Sequence, residues 1–129
     1  MIGVIQRVKS ASVTINSELH SEIKQGILLL LGVEKGDTKD KAEKLADKIS
    51  KLRIFEDEDE KMNKSIIDIQ GEILVVSQFT LAANCSKGTR PSFDNAENPD
   101  LANELYEYFI TQIKSKKRSY SWSLYPLFL

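Results

Sequence analysis

Gly26-Ile27-Leu28-Leu29-Leu30-Leu31-Gly32-Val33 is the stretch whose reading settles the fold. Ile27 to Leu31 leaves no polar position for a solvent face. The run therefore reads as a central strand covered on both sides, not as an alternating edge strand. It is the longest purely apolar run of the chain and too short to cross a bilayer.

Upstream, Ile2 and Val4 alternate with their neighbours, and Ala11, Val13 and Ile15 alternate with Ser10, Ser12 and Thr14. These read as antiparallel strands, with Asn16-Ser17 as a tight turn and Leu19–Ile23 as the returning strand. Downstream, Lys35-Gly36-Asp37 breaks the pattern. Ala42, Leu45, Ala46, Ile49 and Leu52 then recur at 3- and 4-residue spacing, which predicts an amphipathic helix over 38–52 capped by Asp37 or Thr38. The acidic run Glu56 to Glu60 reads as a solvated loop because like charges resist packing. Ile66–Ile69, Gln70-Gly71 and Glu72–Phe79 suggest a second hairpin, with Ile73–Val76 as a buried strand. A polar stretch over 80–98 follows. Asn98-Pro99 then starts a helix whose buried stripe is expected to be Leu101, Ala102, Leu105, Tyr106, Phe109, Ile110 and Ile113. With no repeat and no linker, the expected architecture is one α+β domain over 1–129. It has a curved antiparallel or mixed, barrel-like sheet and two main amphipathic helices.

Composition narrows the chemistry. The 129 residues are 41% hydrophobic and 29% charged, the balance of an ordinary globular protein. Met1 leads into Ile2-Gly3-Val4-Ile5 with no basic stretch before them, so the cytoplasm is the expected location, with no membrane partner. Cys85 is the single cysteine and His20 the single histidine. A cysteine-rich zinc site is thus excluded, and His20, among alternating strand residues, reads as a surface position rather than a catalytic base. Adjacent carboxylates such as Glu56–Asp59 more often sit solvated than hold a cation, so no metal and no cofactor is expected. The net charge of −1 argues against a general nucleic-acid coat but not against a local basic patch. Lys114, Lys116, Lys117 and Arg118 read as a helix end that complements the macrodipole.

Several stretches together resemble the D-aminoacyl-tRNA deacylase family. They are Gln6-Arg7-Val8 with Ala11-Ser12-Val13, Leu31 to Asp37, Leu52-Arg53-Ile54-Phe55-Glu56-Asp57, Lys61-Met62-Asn63, Val76-Ser77-Gln78-Phe79-Thr80-Leu81, Lys87-Gly88 and Arg90-Pro91-Ser92-Phe93. Their order and spacing over residues 1 to about 113 carry the resemblance; any one tetrapeptide would be weak. The resemblance implies a homodimer that hydrolyses the ester of D-aminoacyl-tRNA, or of glycyl-tRNA mischarged on tRNA-Ala, at the 3′-terminal adenosine. By position, the family's Ser-Gln-x-Thr signature falls on Ser77, Gln78 and Thr80, with Phe79 between. Backbone N–H groups at the end of a buried strand suit the oxyanion of an ester hydrolysis, and the Phe79 N–H with the Ser77 or Gln78 side chain are the candidate donors. Thr80 as nucleophile is disfavoured because no base is visible beside it, and a water activated by the ribose 2′-hydroxyl is preferred. Arg7 resembles a position that braces the chirality-reading loop; Lys87 and Arg90 are candidates for tRNA contact.

Past Lys114 the likeness fails. Family members carry a C-terminal Gly-Pro turn, with a cis-proline, that enters the partner subunit's pocket and excludes L-amino acids. This chain has no glycine after Gly88, and its last proline, Pro126, follows Tyr125. The tail 115–129 is expected to be divergent. The abrupt loss of likeness favours a change of reading frame over a divergence in which Trp122, Tyr125 and Phe128 pack in place of strands. Without the Gly-Pro element, the alternative is a non-catalytic nucleic-acid-binding or dimerisation protein of the same fold.

Overall fold

The structure is a computed structural model. It describes residues 1–82, 86, 89–90, 92, 96–116 and 122–126, without the side chains of His20, Phe79, Thr80 and 122–126. The elements run β1 (Ile2–Val8), β2 (Ala11–Ile15), β3 (Glu18–Ile23), β4 (Gly26–Gly32), α1 (Lys39–Lys51), β5 (Phe55–Glu56), β6 (Met62–Lys64), β7 (Glu72–Ser77), a 3-10 turn (Phe79–Ala82), α2 (Pro99–Lys116) and β8 (Trp122–Pro126). The main sheet has the order β1-β4-β7-β8. β1 lies antiparallel to β4, whereas β4, β7 and β8 are parallel neighbours. Parallel neighbours need a crossover, and α1 and α2 lie in the two that link them. The α+β class, the mixed sheet and the two helices are as the sequence predicts.

Period-2 alternation sends the apolar run to two different cores. Ile27, Leu29 and Leu31 of β4, with Ile73 and Val75 of β7, join Ala42, Ala46 and Ile49 of α1 and Tyr106, Phe109, Ile110 and Ile113 of α2. On the opposite face Leu74 and Val76 pack with Ile23, Val8, Ala11 and Val13, which come from β1 and the β2–β3 hairpin. Leu28 and Leu30 stay half-buried there, so the second face of β4 is covered only in part. Among the described residues no helix is long and apolar enough to cross a membrane.

Local chemistry fixes the element ends. Thr38 caps α1 by accepting from the Lys41 N–H, and Asn98 caps α2 by accepting from the Leu101 N–H at 3.1 Å. Asp37, the other candidate cap, instead accepts from the Glu34 N–H at 2.7 Å and binds the Met1 ammonium at 2.7 Å. Asn16 and Ser17 both take positive φ, 50° and 65°, which gives the β2–β3 hairpin a turn that follows the strand twist. The buried Tyr106 hydroxyl donates to the Val75 carbonyl at 2.9 Å and ties α2 to β7.

Three expectations need correction. Ile66–Ile69 is a turn, not a strand, and β7 pairs with β4 rather than folding back. Ser65 and Asp68 explain the turn: the Asp68 carboxylate accepts from the Ser65 N–H at 2.9 Å, and the Ser65 hydroxyl accepts from the Asp68 N–H at 3.2 Å. The acidic run is not merely solvated. It closes the β5–β6 hairpin, where Asp57 accepts from the N–H groups of Asp59 and Lys61 and from the Asn63 amide. Leu101 is 47% exposed and lies off the buried stripe of α2. In the tail, Ser115 and Lys116 complete α2, and Trp122–Pro126 forms a strand beside β7.

Phe109 is 0% exposed at the centre of the helix-side core, and Leu19 is 58% exposed. Phe109→Ala should cost about 3–5 kcal/mol in urea unfolding, and Leu19→Ala within about 0.5 kcal/mol. The Lys61 N–H, against an opposing desolvation and helped by the Asp59 N–H and Asn63, holds the Asp57 carboxyl below the usual carboxylate range. Its contribution is therefore present above the unfolded carboxylate pKa and lost as pH falls through the lowered value. Amide protection at Asp59 and Lys61, measured against the intrinsic exchange rate at each pH, should fall on that acid limb, and Asp57→Ala should show the reduced protection already at neutral pH.

Candidate active site at the carboxyl end of the parallel strands

β4 and β7 run side by side in register from Gly26↔Glu72 to Leu31↔Ser77. The ladder continues one residue past β7, because the Gln78 N–H donates to the Leu31 carbonyl at 2.8 Å. The chain then leaves the sheet at Phe79 and curls into the 79–82 turn, closed by the Leu81 N–H on the Gln78 carbonyl at 3.3 Å. The first N–H groups of such a turn have no acceptor within it. Phe79 and Thr80 supply these groups, and Ser77 and Gln78 stand half-buried just before them. All four signature residues thus gather at the carboxyl ends of parallel strands, where open sheets commonly leave a crevice for ligands.

Two further segments border this end. The Glu97 N–H donates to the Val33 carbonyl at 3.1 Å, and Ala96 bridges Glu34, so the entry to α2 closes over the end of β4. On the far side of β7, Pro126 of β8 is the register partner of Ser77. A proline there is tolerated because β8 is an edge strand.

Arg7 is not brought to the signature. It pairs with Ile27, four residues along β4 from the Leu31 that faces Ser77, or about 13 Å away along the strand. Its Nη1 donates to the Ile54 carbonyl at 2.9 Å and so ties β1 to the segment after α1. Arg90 is exposed, whereas Lys87 and Cys85 lie outside the described residues. His20 falls on β3, opposite the irregularity between Val13 and Thr14, and its side chain is likewise outside them. Of the basic cluster after Lys114, Lys116 pairs with Asp47 at 3.4 Å, and 117–118 are not described.

The shifted carboxylates do not mark the site. Asp57 and Glu58 belong to the β5–β6 hairpin, Asp68 is lowered chiefly by the Ser65 N–H, and Asp47 chiefly by its bond to Lys51. A cleft of about 360 Å³ is lined by Ser50, Lys51, Arg53, Ser65, Ile67 and Asp68. Residues 65–68 lead into the start of β7, the end opposite Ser77. By residue type, Ser77–Thr80 bring hydroxyl, amide and backbone N–H groups to the end of β7, a set suited to developing negative charge on oxygen.

A sequence model of the D-Tyr-tRNA(Tyr) deacylase family matches residues 4–122. The chain belongs to this family. By class it is a hydrolase of ester bonds. A D-aminoacyl-tRNA deacylase of Pseudoalteromonas translucida (strain TAC 125) is 63% identical over 115 residues, covering 89% of this chain and 79% of the relative. One of Haemophilus influenzae (strain PittEE) is 55% identical over 116 residues, covering 90% and 81%. Among solved structures, a c-Myc DNA Unwinding Element Binding Protein superposes with a TM-score of 0.85 at 44% identity, over 90% of this chain and 78% of that one. A probable eukaryotic D-amino acid tRNA deacylase gives 0.75 at 15% identity, over 88% and 66%, a likeness of fold alone. The family match runs to residue 122, into β8.

The sequence gives no sign of the Gln78–Leu31 bond or of the 96–97 segment that closes on β4. Both are long-range backbone pairings, which no side-chain pattern encodes.

Proposed function

We propose that this chain hydrolyses the ester between a D-amino acid and the 3′-terminal adenosine of tRNA, and also glycyl-tRNA mischarged on tRNA-Ala. The supporting observation is the position of Ser77-Gln78-Phe79-Thr80 where β7 leaves the sheet, in a chain of the deacylase family. A water attacks the ester carbonyl carbon. The oxyanion that forms is held by the Phe79 N–H with the Ser77 or Gln78 side chain. The bond to the ribose 3′ oxygen then breaks, and the adjacent 2′-hydroxyl relays the proton from water to that oxygen. Free D-amino acid and tRNA leave. Thr80 orients and does not attack, since nothing beside it is assigned as a base. The step needs no metal or cofactor.

Lys87 and Arg90 are assigned to the tRNA backbone, as cations that follow the 79–82 turn in the sequence. Arg7, remote from Ser77 within one chain, is assigned to a homodimer, in which it would brace a segment of the second copy. Selectivity for D-amino acids is assigned to the backbone around Pro126, the register partner of Ser77. The cytoplasm, where charged tRNA is found, is the proposed location.

A second reading is a non-catalytic protein that binds nucleic-acid ends. It draws on the 44% identical solved relative, whose name is that of a DNA-binding protein.

Deacylation of D-tyrosyl-tRNA and L-tyrosyl-tRNA by the purified chain separates the two. The hydrolase predicts turnover of the D-ester above the spontaneous rate. Thr80→Val should slow it less than about tenfold, and a 2′-deoxyadenosine terminus by about 100-fold or more. No turnover, with salt-sensitive binding to an acceptor-stem duplex, would support the second reading.

A further inference from the structure

Gly32 closes β4, and its place in the resemblance is only as part of a Leu-Gly-Val string. We propose that Gly32 is a positioning residue for the deacylase site, because its missing side chain sets how deeply the 78–81 turn seats against β4. This rests on the reading that Ser77–Thr80 form that site.

The geometry is steric. A Cβ at Gly32 would lie 2.9 Å from the Leu81 Cβ, 3.2 Å from the Gln78 carbonyl oxygen and 3.5 Å from the Leu81 Cδ1. Carbon atoms in contact sit at about 3.5–4.0 Å, so a methyl group cannot enter without movement. Backbone conformation is not the reason for glycine here: among the described glycines only Gly36 has a positive φ. Both neighbours belong to the same small unit, since the Gln78 carbonyl accepts the Leu81 N–H that closes the turn. Phe79 and Thr80 lie between them.

Which side moves is also determined. β4 is hydrogen-bonded on both edges, by β1 and β7, and Gly32 itself pairs with Ile2. Leu29 and Leu31 beside it are 0% exposed in the helix-side core. The turn is tied to β4 at its first residue, by the Gln78 N–H on the Leu31 carbonyl, so an added methyl displaces the Leu81 side of the turn and leaves the strand in place. A displacement of several tenths of an ångström at the Phe79 N–H moves the oxyanion donor off its line. Such misplacement lowers the chemical step more than substrate capture.

Gly3 is the control. It lies on β1 in register with Leu31, and a Cβ there would meet only side-chain ends: the Leu29 Cδ1 at 3.3 Å, the Leu45 Cδ2 at 3.7 Å and the Ile49 Cδ1 at 3.9 Å. Wild type, Gly3→Ala and Gly32→Ala would be compared by single-turnover deacylation of D-tyrosyl-tRNA at saturating enzyme, with thermal unfolding alongside. Gly32→Ala should lower the rate constant about tenfold or more, while Gly3→Ala stays near wild type. A folded Gly32→Ala with the wild-type rate constant overturns the proposal. In a Leu81→Gly background the nearest clash is gone, and the same substitution should cost about threefold or less, the residue of the Gln78 contact. An undiminished cost there overturns it. Should Gly32→Ala alone fail to fold, recovery of folding in the Leu81→Gly background supports the contact, and persistent unfolding overturns it. If wild type itself turns nothing over, the fault lies with the reading of the site. The Phe79 and Thr80 amide resonances then take the place of the rate: they should move in Gly32→Ala and not in Gly3→Ala, and unmoved resonances overturn the proposal.

Discussion

The hydrogen bond from the Gln78 N–H to the Leu31 carbonyl, 2.8 Å long, ends the parallel ladder of β4 and β7 and decides where the chain leaves the sheet. Everything at the site is placed relative to that bond. One residue earlier, Ser77 is still in register with Leu31; one residue later, Phe79 has entered the 3-10 turn. The bond is firm because both strands it joins are firm. Ile27, Leu29, Leu31, Ile73 and Val75 are 0–1% exposed beneath α1 and α2, and the Tyr106 hydroxyl holds the Val75 carbonyl from the helix side. Backbone groups fixed this way do not need to reorganise when charge develops on a substrate, and that preorganisation is what makes such donors effective.

The electrostatic layout follows the same division between frame and site. Carboxylates with lowered pKa values are found in the frame: Asp57 in the β5–β6 hairpin, Asp68 in the turn ahead of β7, and Asp47 of α1 beside Lys51 of the same helix and Lys116 of α2. Each is held by N–H donors or lysines of its own neighbourhood, and none is among Ser77–Thr80. A reaction in which the substrate's own 2′-hydroxyl carries the proton suits a site built this way. In the proposed reaction the protein's part would be to present dipoles, seat the ester and keep the turn in place.

Much of this was legible in the sequence, for identifiable reasons. The apolar run gave β4, the alternation of Ala11, Val13 and Ile15 gave β2, and the 3- and 4-residue spacings gave α1 and most of the buried face of α2. Thr38 and Asn98 cap their helices as their residue types suggest. The failures share a cause. Ile66–Ile69 looked like a strand by composition, but the reciprocal Ser65–Asp68 bonds make a turn, and local side-chain bonding outweighs β-propensity. The acidic run reads as a solvated loop and is largely exposed, but its charge pattern does not show the three hydrogen bonds that Asp57 accepts to organise it. The pairing of β7 with β4 across the chain, and of β8 with β7, are long-range choices with no local signature. The four signature residues were placed together by resemblance, and the structure puts them on one strand end, while Arg7 stands at the other end of β4.

The central claim is that the aminoacyl ester sits at the carboxyl end of β4 and β7. Its most direct test is amide chemical-shift mapping of the full chain with a non-hydrolysable D-tyrosyl-adenosine analogue, joined through a 3′-amide. The account predicts the largest shifts at Ser77, Gln78, Phe79 and Thr80, with Leu31 and Gly32 responding next. Shifts centred instead on Ser50, Arg53, Ser65 and Asp68, around the cleft at the opposite end of β7, would contradict it.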